Sequence, residues 1–227
     1  MFIYPTGIYI AIIGDIIGSK KLSDRNIIQK QLNETLNNVN IIYNKYISSI
    51  FMITLGDEFQ GLLKYGSPIC EIIDKIERDV YPIELRFGIG VGEITTTIDF
   101  NSSLGADGPA YYFARKVIND LKLNEKKKMM PKSSIGIEIE NNITATALIN
   151  SIFSQNTIIK SRWTKRQKEI LNVLLNSNGT QNSVALKLGI NQSNVQKAIQ
   201  ASGYYTYKHA QQVVDKVLMQ ISEVQDV

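Results

Sequence analysis

One cysteine, Cys70, and one histidine, His209, are all that the chain holds of the two side chains most used for metal binding and nucleophile activation. The first count excludes an internal disulfide framework and a cysteine-rich zinc site, and the second excludes multi-histidine metal centres. A Ser/His/Asp triad would rest wholly on His209, which reads as an exposed helix residue. Long apolar runs are also missing. The opening stretch MFIYPTGIYIAIIG has no basic leader and no cleavage site, and Asp15 interrupts its apolar run well short of the ~20 residues a membrane span needs. The expectation is a cytoplasmic chain with no membrane contact.

Acidic residues are scarce in the last third. Residues 151–227 hold 9 Lys/Arg against 4 Asp/Glu, whereas residues 1–150 hold 16 against 17. Between Lys160 and Lys208 eight basic residues face a single acid, Glu169. A basic tail on a near-neutral body suits a polyanion such as nucleic acid, and equally a solvated lysine face. What the chain has in plenty is apolar material: 44% of 227 residues is enough for one moderate domain and a small second one.

Residues 8–14, IYIAIIG, fit a buried central strand that ends on Asp15. Ser23 or Asp24 is placed to cap a following helix with Ile28, Leu32, Leu36, Val39, Tyr43 and Tyr46 on one face. Residues 49–55 and 59–63 read as a hairpin with Gly56, Asp57 and Glu58 at its tip. A helix around Ser67 to Arg78 precedes the strand ELRFGIGVGEI, whose Gly88, Gly90 and Gly92 share one side, so something packs closely there. A helix starts at Pro109, capped by Asp107 or Gly108, and a last strand ends near Glu140. The order β-α-β-β-α-β predicts an α+β, ferredoxin-like sheet with helices on one face. The segment KKKMMPK, residues 126–132, reads as an exposed basic connection.

In such a sheet the first and third strands are adjacent and antiparallel, which brings Asp15 beside Asp57. Two carboxylates without a basic neighbour repel unless a proton or a divalent cation lies between them, and Mg²⁺ is the natural occupant beside phosphates. The backbone N–H groups of Ile16, Ile17, Gly18 and Ser19 are then placed to turn toward a triphosphate. The bland alternative makes Asp15 a strand-end cap and Asp57 and Glu58 a polar hairpin tip.

GDIIGSK, LGDEFQGLL, RFGIGVGEI and FARKV, in that order, resemble the palm domain of class III nucleotidyl cyclases and GGDEF-type diguanylate cyclases. GDEFQGLL, YPIELRFGIGVGEITT, GADGPAYYFAR and the later WTKRQ resemble the SatD family over essentially the whole chain. The cyclase resemblance implies that Asp15 and Asp57 hold Mg or Mn, that Gly18 and Ser19 clamp phosphate, and that Arg115 is the transition-state arginine. Asp15, Asp57 and Arg115 would be catalytic if the palm is active. Tyr111 stands where the cyclase pattern has its catalytic Asn, Ile53 where it has its base-reading Lys, and Leu55 where GGDEF proteins have their first Gly. By its own position Arg115 either stacks on Tyr111, one turn earlier, or contacts phosphate.

The tail reads as helices. Thr164 caps the first, with Ile170, Leu171, Leu174 and Leu175 on one face. Val184, Ala185, Leu188, Ile190 and Val195 then form the seam of a helix-turn-helix with Gly189 in its turn, resembling that of sigma-factor region four. Asn191 caps the second helix, from which Gln192, Ser193, Asn194, Gln196 and Lys197 project with donors and acceptors suited to bases and phosphate. A bundle used for protein contact is the alternative. Val213, Val214, Val217, Leu218 and Ile221 give the last helix an apolar face for closing the bundle or a homodimer.

The domain reading is a cyclase-like palm over 1–142, a connecting helix over 143–161 and a small all-α helix-turn-helix domain over 162–227. The functional reading is a DNA-binding regulator whose palm binds a nucleoside triphosphate with Mg. An active nucleotidyl cyclase or nucleotidyltransferase is the first alternative, and a non-enzymatic protein–protein adaptor is the second.

Overall fold

The structure is a computed structural model, and it describes residues 2–3, 7–19, 24–127, 132–176 and 179–223. Its elements run β1 (Phe2–Ile3), β2 (Ile8–Ile16), α1 (Arg25–Ile42), β3 (Ile47–Leu55), β4 (Glu58–Lys64), α2 (Ile69–Asp79), β5 (Leu85–Glu93), β6 (Ile98–Asp99), α3 (Pro109–Glu125), β7 (Ile135–Ile139) and α4 (Ile143–Ser161). The tail adds α5 (Lys165–Asn176), α6 (Gln181–Leu188), α7 (Gln192–Ala201) and α8 (Tyr204–Glu223).

The main sheet has the order β3-β4-β2-β5-β7, with every pair antiparallel except β5 and β7. Without β7, that is the order and sense of a βαββαβ ferredoxin-like sheet, as the sequence predicts. The helices, however, cover both faces rather than one. The alternation of β2 separates Ile10, Ile12 and Ile16, which pack with Leu32, Leu36 and Val39 of α1 and Ile72, Ile73 and Ile76 of α2, from Ala11 and Ile13, which pack with Ala110, Ala114 and Ile118 of α3. The extra helix α3 follows the βαββαβ unit and crosses to the second face to bring β7 in parallel.

Glycines allow that crossing. A Cβ on Gly90 would stand 1.9 Å from the Ala110 carbonyl oxygen, and one on Gly88 2.4 Å from that of Ala114. The glycine side of β5 is therefore the bed of α3. At the start of α3 Gly108 holds the N-cap position, and Asp107 accepts a hydrogen bond from the Tyr112 hydroxyl at 2.7 Å. Asp24 is the N-cap of α1, while Ser23 and residues 128–131 of the basic connection lie outside the described residues.

Both edges of the sheet are closed by an asparagine acting as a strand. Asn40 of α1 donates to the Phe51 carbonyl and accepts from its N–H, each at 2.8 Å. Asn150 of α4 does the same for Ile137, at 2.8 and 2.9 Å. Asn150→Leu keeps the bulk and strips both bonds, so we expect a loss of about 1–3 kcal/mol in urea unfolding. A loss below about 0.5 kcal/mol would mean that water replaces the amide at no cost.

The tail helices enclose their own cluster of Ile170, Leu171, Val184, Val195, Ile199 and Tyr207, but α8 does not stay with them. Val214 and Leu218 are fully buried in the palm's main cluster, so the face expected to close a bundle or a dimer is spent on the palm. Polar contacts reinforce the joint. The Tyr207 hydroxyl donates to Asp74 of α2 at 2.6 Å, the Asp215 carboxylate accepts from the Cys70 N–H at 3.2 Å, and Lys160 of α4 pairs with Glu77. Burial pushes the Asp215 carboxyl up to about 6.

Candidate functional site

Strand register builds the site. Asp15 lies opposite Glu58 on one side and opposite Arg86 on the other, so three charged residues stand abreast across β4, β2 and β5. They lie on the face that α3 covers, in line with Ala11, Ile13, Gly88 and Gly90. From α3, Arg115, Lys122 and Glu125 recur at spacings of seven and three, which puts them on one side of the helix.

Each residue of the row receives the opposite charge from above. Arg115 grips Glu58 at two points, 2.5 and 2.7 Å. Lys122 reaches Asp15 Oδ2 at 2.6 Å, and Glu125 accepts from Arg86 at 2.5 Å. Within the row, Arg86 Nη1 donates to both oxygens of Asp15, at 2.8 and 3.0 Å. The Asp15 and Arg86 side chains are only 6% and 7% exposed, whereas Lys122 and Arg115 remain 41% and 44% exposed. The outcome is a two-layer lattice of three acids and three bases, buried in the middle and open at its rim. Its hydrogen bond with Glu58 raises the Arg115 guanidinium further and holds it charged.

That arrangement differs from the expected pair of aspartates. Glu58, not Asp57, is the cross-strand partner of Asp15, because Gly56 and Asp57 form the two-residue hairpin turn. A basic neighbour is present, and both oxygens of Asp15 are engaged by Arg86 and Lys122. The six paired charges cancel among themselves, and although Asp57 adds an acid at the turn, no cluster of three or more ligating side chains that could hold a metal ion occurs among the described residues. The residues present do not fit a resident Mg²⁺ or Mn²⁺. The backbone clamp is changed as well. The Ile16 N–H donates to the Asp57 carbonyl and the Ile17 N–H to the Glu84 carbonyl, so neither is offered to phosphate. Gly18 turns with φ of 70° and Ser19 leads into residues outside the description.

Tyr111 is buried in the small cluster under α3, with its hydroxyl unpartnered, and projects no polar group into the lattice. Ile53 packs against the main core. Arg115 is paired with Glu58 rather than stacked on Tyr111. A separate groove of about 340 Å³ between α3, β7 and α4 is lined by Asp120 and Glu138 and, among the described residues, by no base, which suits it poorly to a polyphosphate.

In the tail, α6 and α7 meet at Gly189, whose φ of 62° makes the left-handed turn the sequence predicts. Gln192, Ser193, Asn194, Gln196 and Lys197 are all exposed, with Val195 and Ile199 turned inward. His209 is exposed too. Arg86, Lys122 and Glu125 are the site residues that the sequence reading missed. Arg86 keeps step with Gly88 and Gly90, and Lys122 lies seven residues after Arg115, so the signal was periodicity carried one position further.

Fold and site together define an α+β protein on a ferredoxin-like sheet, with an ion-paired lattice at the strand ends and a helical C-terminal region. The chain belongs to the SatD family, whose profile matches residues 9–218. No curated protein matches it. Among solved structures, a bacterial light-regulated adenylyl cyclase is 12% identical, with TM-score 0.40 over 57% of this chain and 42% of that one. A guanylyl cyclase is 12% identical, with TM-score 0.37 over 50% and 70%. A regulator of polyketide synthase expression from Bifidobacterium adolescentis is 9% identical, with TM-score 0.29 over 95% and 86%. The chain spans less than half the length of the light-regulated cyclase, and TM-scores this low carry neither fold nor activity across. No helix among the described residues is long and apolar enough to cross a membrane.

Proposed function

We propose that this chain is a DNA-binding regulatory protein that reads duplex DNA with α7 and takes a phosphate-bearing ligand, such as a nucleoside triphosphate, at the rim of the palm's charged lattice. One observation carries the reading: α7 is a short helix after a glycine turn, it presents five exposed amide, hydroxyl and ammonium side chains, and the one acid between Lys160 and Lys208, Glu169, is already paired with Arg166. Lys and Arg supply phosphate affinity, and amides and hydroxyls meet base edges.

The ligand half rests on Arg115 and Lys122. Both bases are partly exposed while the acids that hold them, Glu58 and Asp15, are largely buried, so a polyphosphate can approach the bases from the solvent side and share them with those acids. Ligand and DNA would then affect each other's affinity equally. No part of this depends on a resident metal. Turnover of nucleotide is the weaker reading, since Tyr111 is core and the Asp15 oxygens are engaged.

A gel-shift titration of mixed-sequence duplexes, with and without ATP or GTP and Mg²⁺, tests the proposal. At about 50 mM salt the chain should retard DNA, and Lys197→Glu should weaken binding at least ~10-fold while flattening its salt dependence. Absence of any shift at that salt, under every nucleotide condition, sinks the reading.

A further inference from the structure

We propose that Gln192 is the side chain with which α7 selects an A·T base pair, and that Gln181 and Tyr205 are the positioning residues that aim it. The inference rests on the DNA-binding reading and assigns that surface a base preference. Gln181 opens α6, Gln192 opens α7 and Tyr205 lies in the first turn of α8, so three helix starts converge. Gln192 Nε2 donates to Gln181 Oε1 at 2.5 Å, and Gln181 Nε2 donates to the Tyr205 hydroxyl at 3.4 Å. The α6 end of this relay is anchored in turn, since the Thr180 hydroxyl accepts from the Ser183 N–H at 3.2 Å.

The relay matters because a glutamine amide has two distinguishable edges. It carries two N–H donors and one carbonyl acceptor, and a free glutamine on a first helical turn can rotate them interchangeably. Once one N–H is committed to Gln181 Oε1, rotation of the Gln192 amide alone would set two oxygens against each other, so its orientation follows that of Gln181. The outer edge then offers Oε1 beside the second N–H. An acceptor beside a donor complements the N6–H and N7 of adenine in the major groove, whereas guanine presents two acceptors there. In the structure the Tyr205 hydroxyl takes the Gln181 N–H, which leaves Gln181 Oε1 to face Gln192. A preorganised amide loses less rotamer freedom on docking than a free one.

Selection of bound duplexes from a randomised pool by the full chain tests this. Wild type should enrich A·T at one position of the recovered site by about 10-fold or more over the other pairs. Gln192→Ala should lose preference at that position alone. Gln181→Leu removes the acceptor and should relax the same position, while Gln181→Glu keeps an acceptor and should retain the preference, with affinity lowered evenly across all sequences. That split separates positioning from a merely structural role, which would shift affinity without shifting base choice. A wild-type site without an A·T preference, or one unchanged in Gln192→Ala or in Gln181→Leu, overturns this inference and leaves DNA binding standing. Recovery of no duplex by wild type overturns both.

Discussion

Asp15→Ala should cost about 3–5 kcal/mol of folding stability, the range for removing one partner from a buried ion pair. The loss has two sources. Arg86, with a side chain only 7% exposed, keeps only Glu125, which is itself 54% exposed and a weak substitute. Lys122 loses its partner as well but can turn to water, so its share is small. Asp15→Asn should cost less, because a side-chain oxygen remains to accept from Arg86. Urea unfolding of the two variants beside wild type checks the order. If Asp15→Ala unfolds within about 1 kcal/mol of wild type, the lattice is ornamental to the fold and Asp15 is available for other work. The double variant Asp15→Leu with Arg86→Met gives the complementary measurement: replacing both members by apolar groups should recover much of the loss, since isosteric apolar packing often equals a buried pair.

Gly90→Ala should be at least as damaging as these, at about 3 kcal/mol or more, although it adds one methyl group. The atom in the way is a backbone oxygen of α3, at 1.9 Å, which no rotamer change can move. Helix α3 would have to lift from the sheet, carrying Arg115, Lys122 and Glu125 away from Glu58, Asp15 and Arg86. A close approach enforced by one glycine thus sets the spacing of the ionic lattice some distance along the helix. Gly136→Ala is the natural control. Its Cβ would meet a valine methyl at 2.7 Å, which can give way, so the loss should be clearly smaller. Equal losses at the two positions would deny Gly90 any special place. The same preparations test the proposed ligand site: under that proposal, nucleotide affinity should be lower in Gly90→Ala even at temperatures where it remains folded.

Strand positions were readable because burial leaves a local mark on them. The run 8–14 is continuously apolar, residues 49–55 and 59–63 flank a tight turn at Gly56, and the stretch 85–93 alternates apolar with small residues, each without help from the rest of the chain. The glycine row announced a close neighbour but not which element it would be, since nothing local to β5 distinguishes α3 from α1. Charge partners were harder still. Asp15 and Arg86 are separated by 71 residues, and only the register of two strands sets them side by side. Reading acids alone suggested an ion between them, because repulsion is the first consequence of two like charges, and the compensating base lay on a strand noticed only for its glycines. The apolar face of α8 was equally legible, yet an amphipathic pattern declares that a face must be covered without saying by what.

Because α8 leaves the other tail helices and buries Val214 and Leu218 in the palm's core, neither portion owns a complete interior. Val214 and Leu218 plug the larger hydrophobic mass, and Tyr207 belongs to the smaller one while bonded to Asp74 of the larger. Such a chain is a poor candidate for modular exchange: a cut near residue 162 would give a helical tail lacking its last wall and a palm with an open seam. Substitutions at Asp74, Val214 or Leu218 should therefore disturb both portions at once, and their effects should be non-additive with changes at their neighbours across the seam.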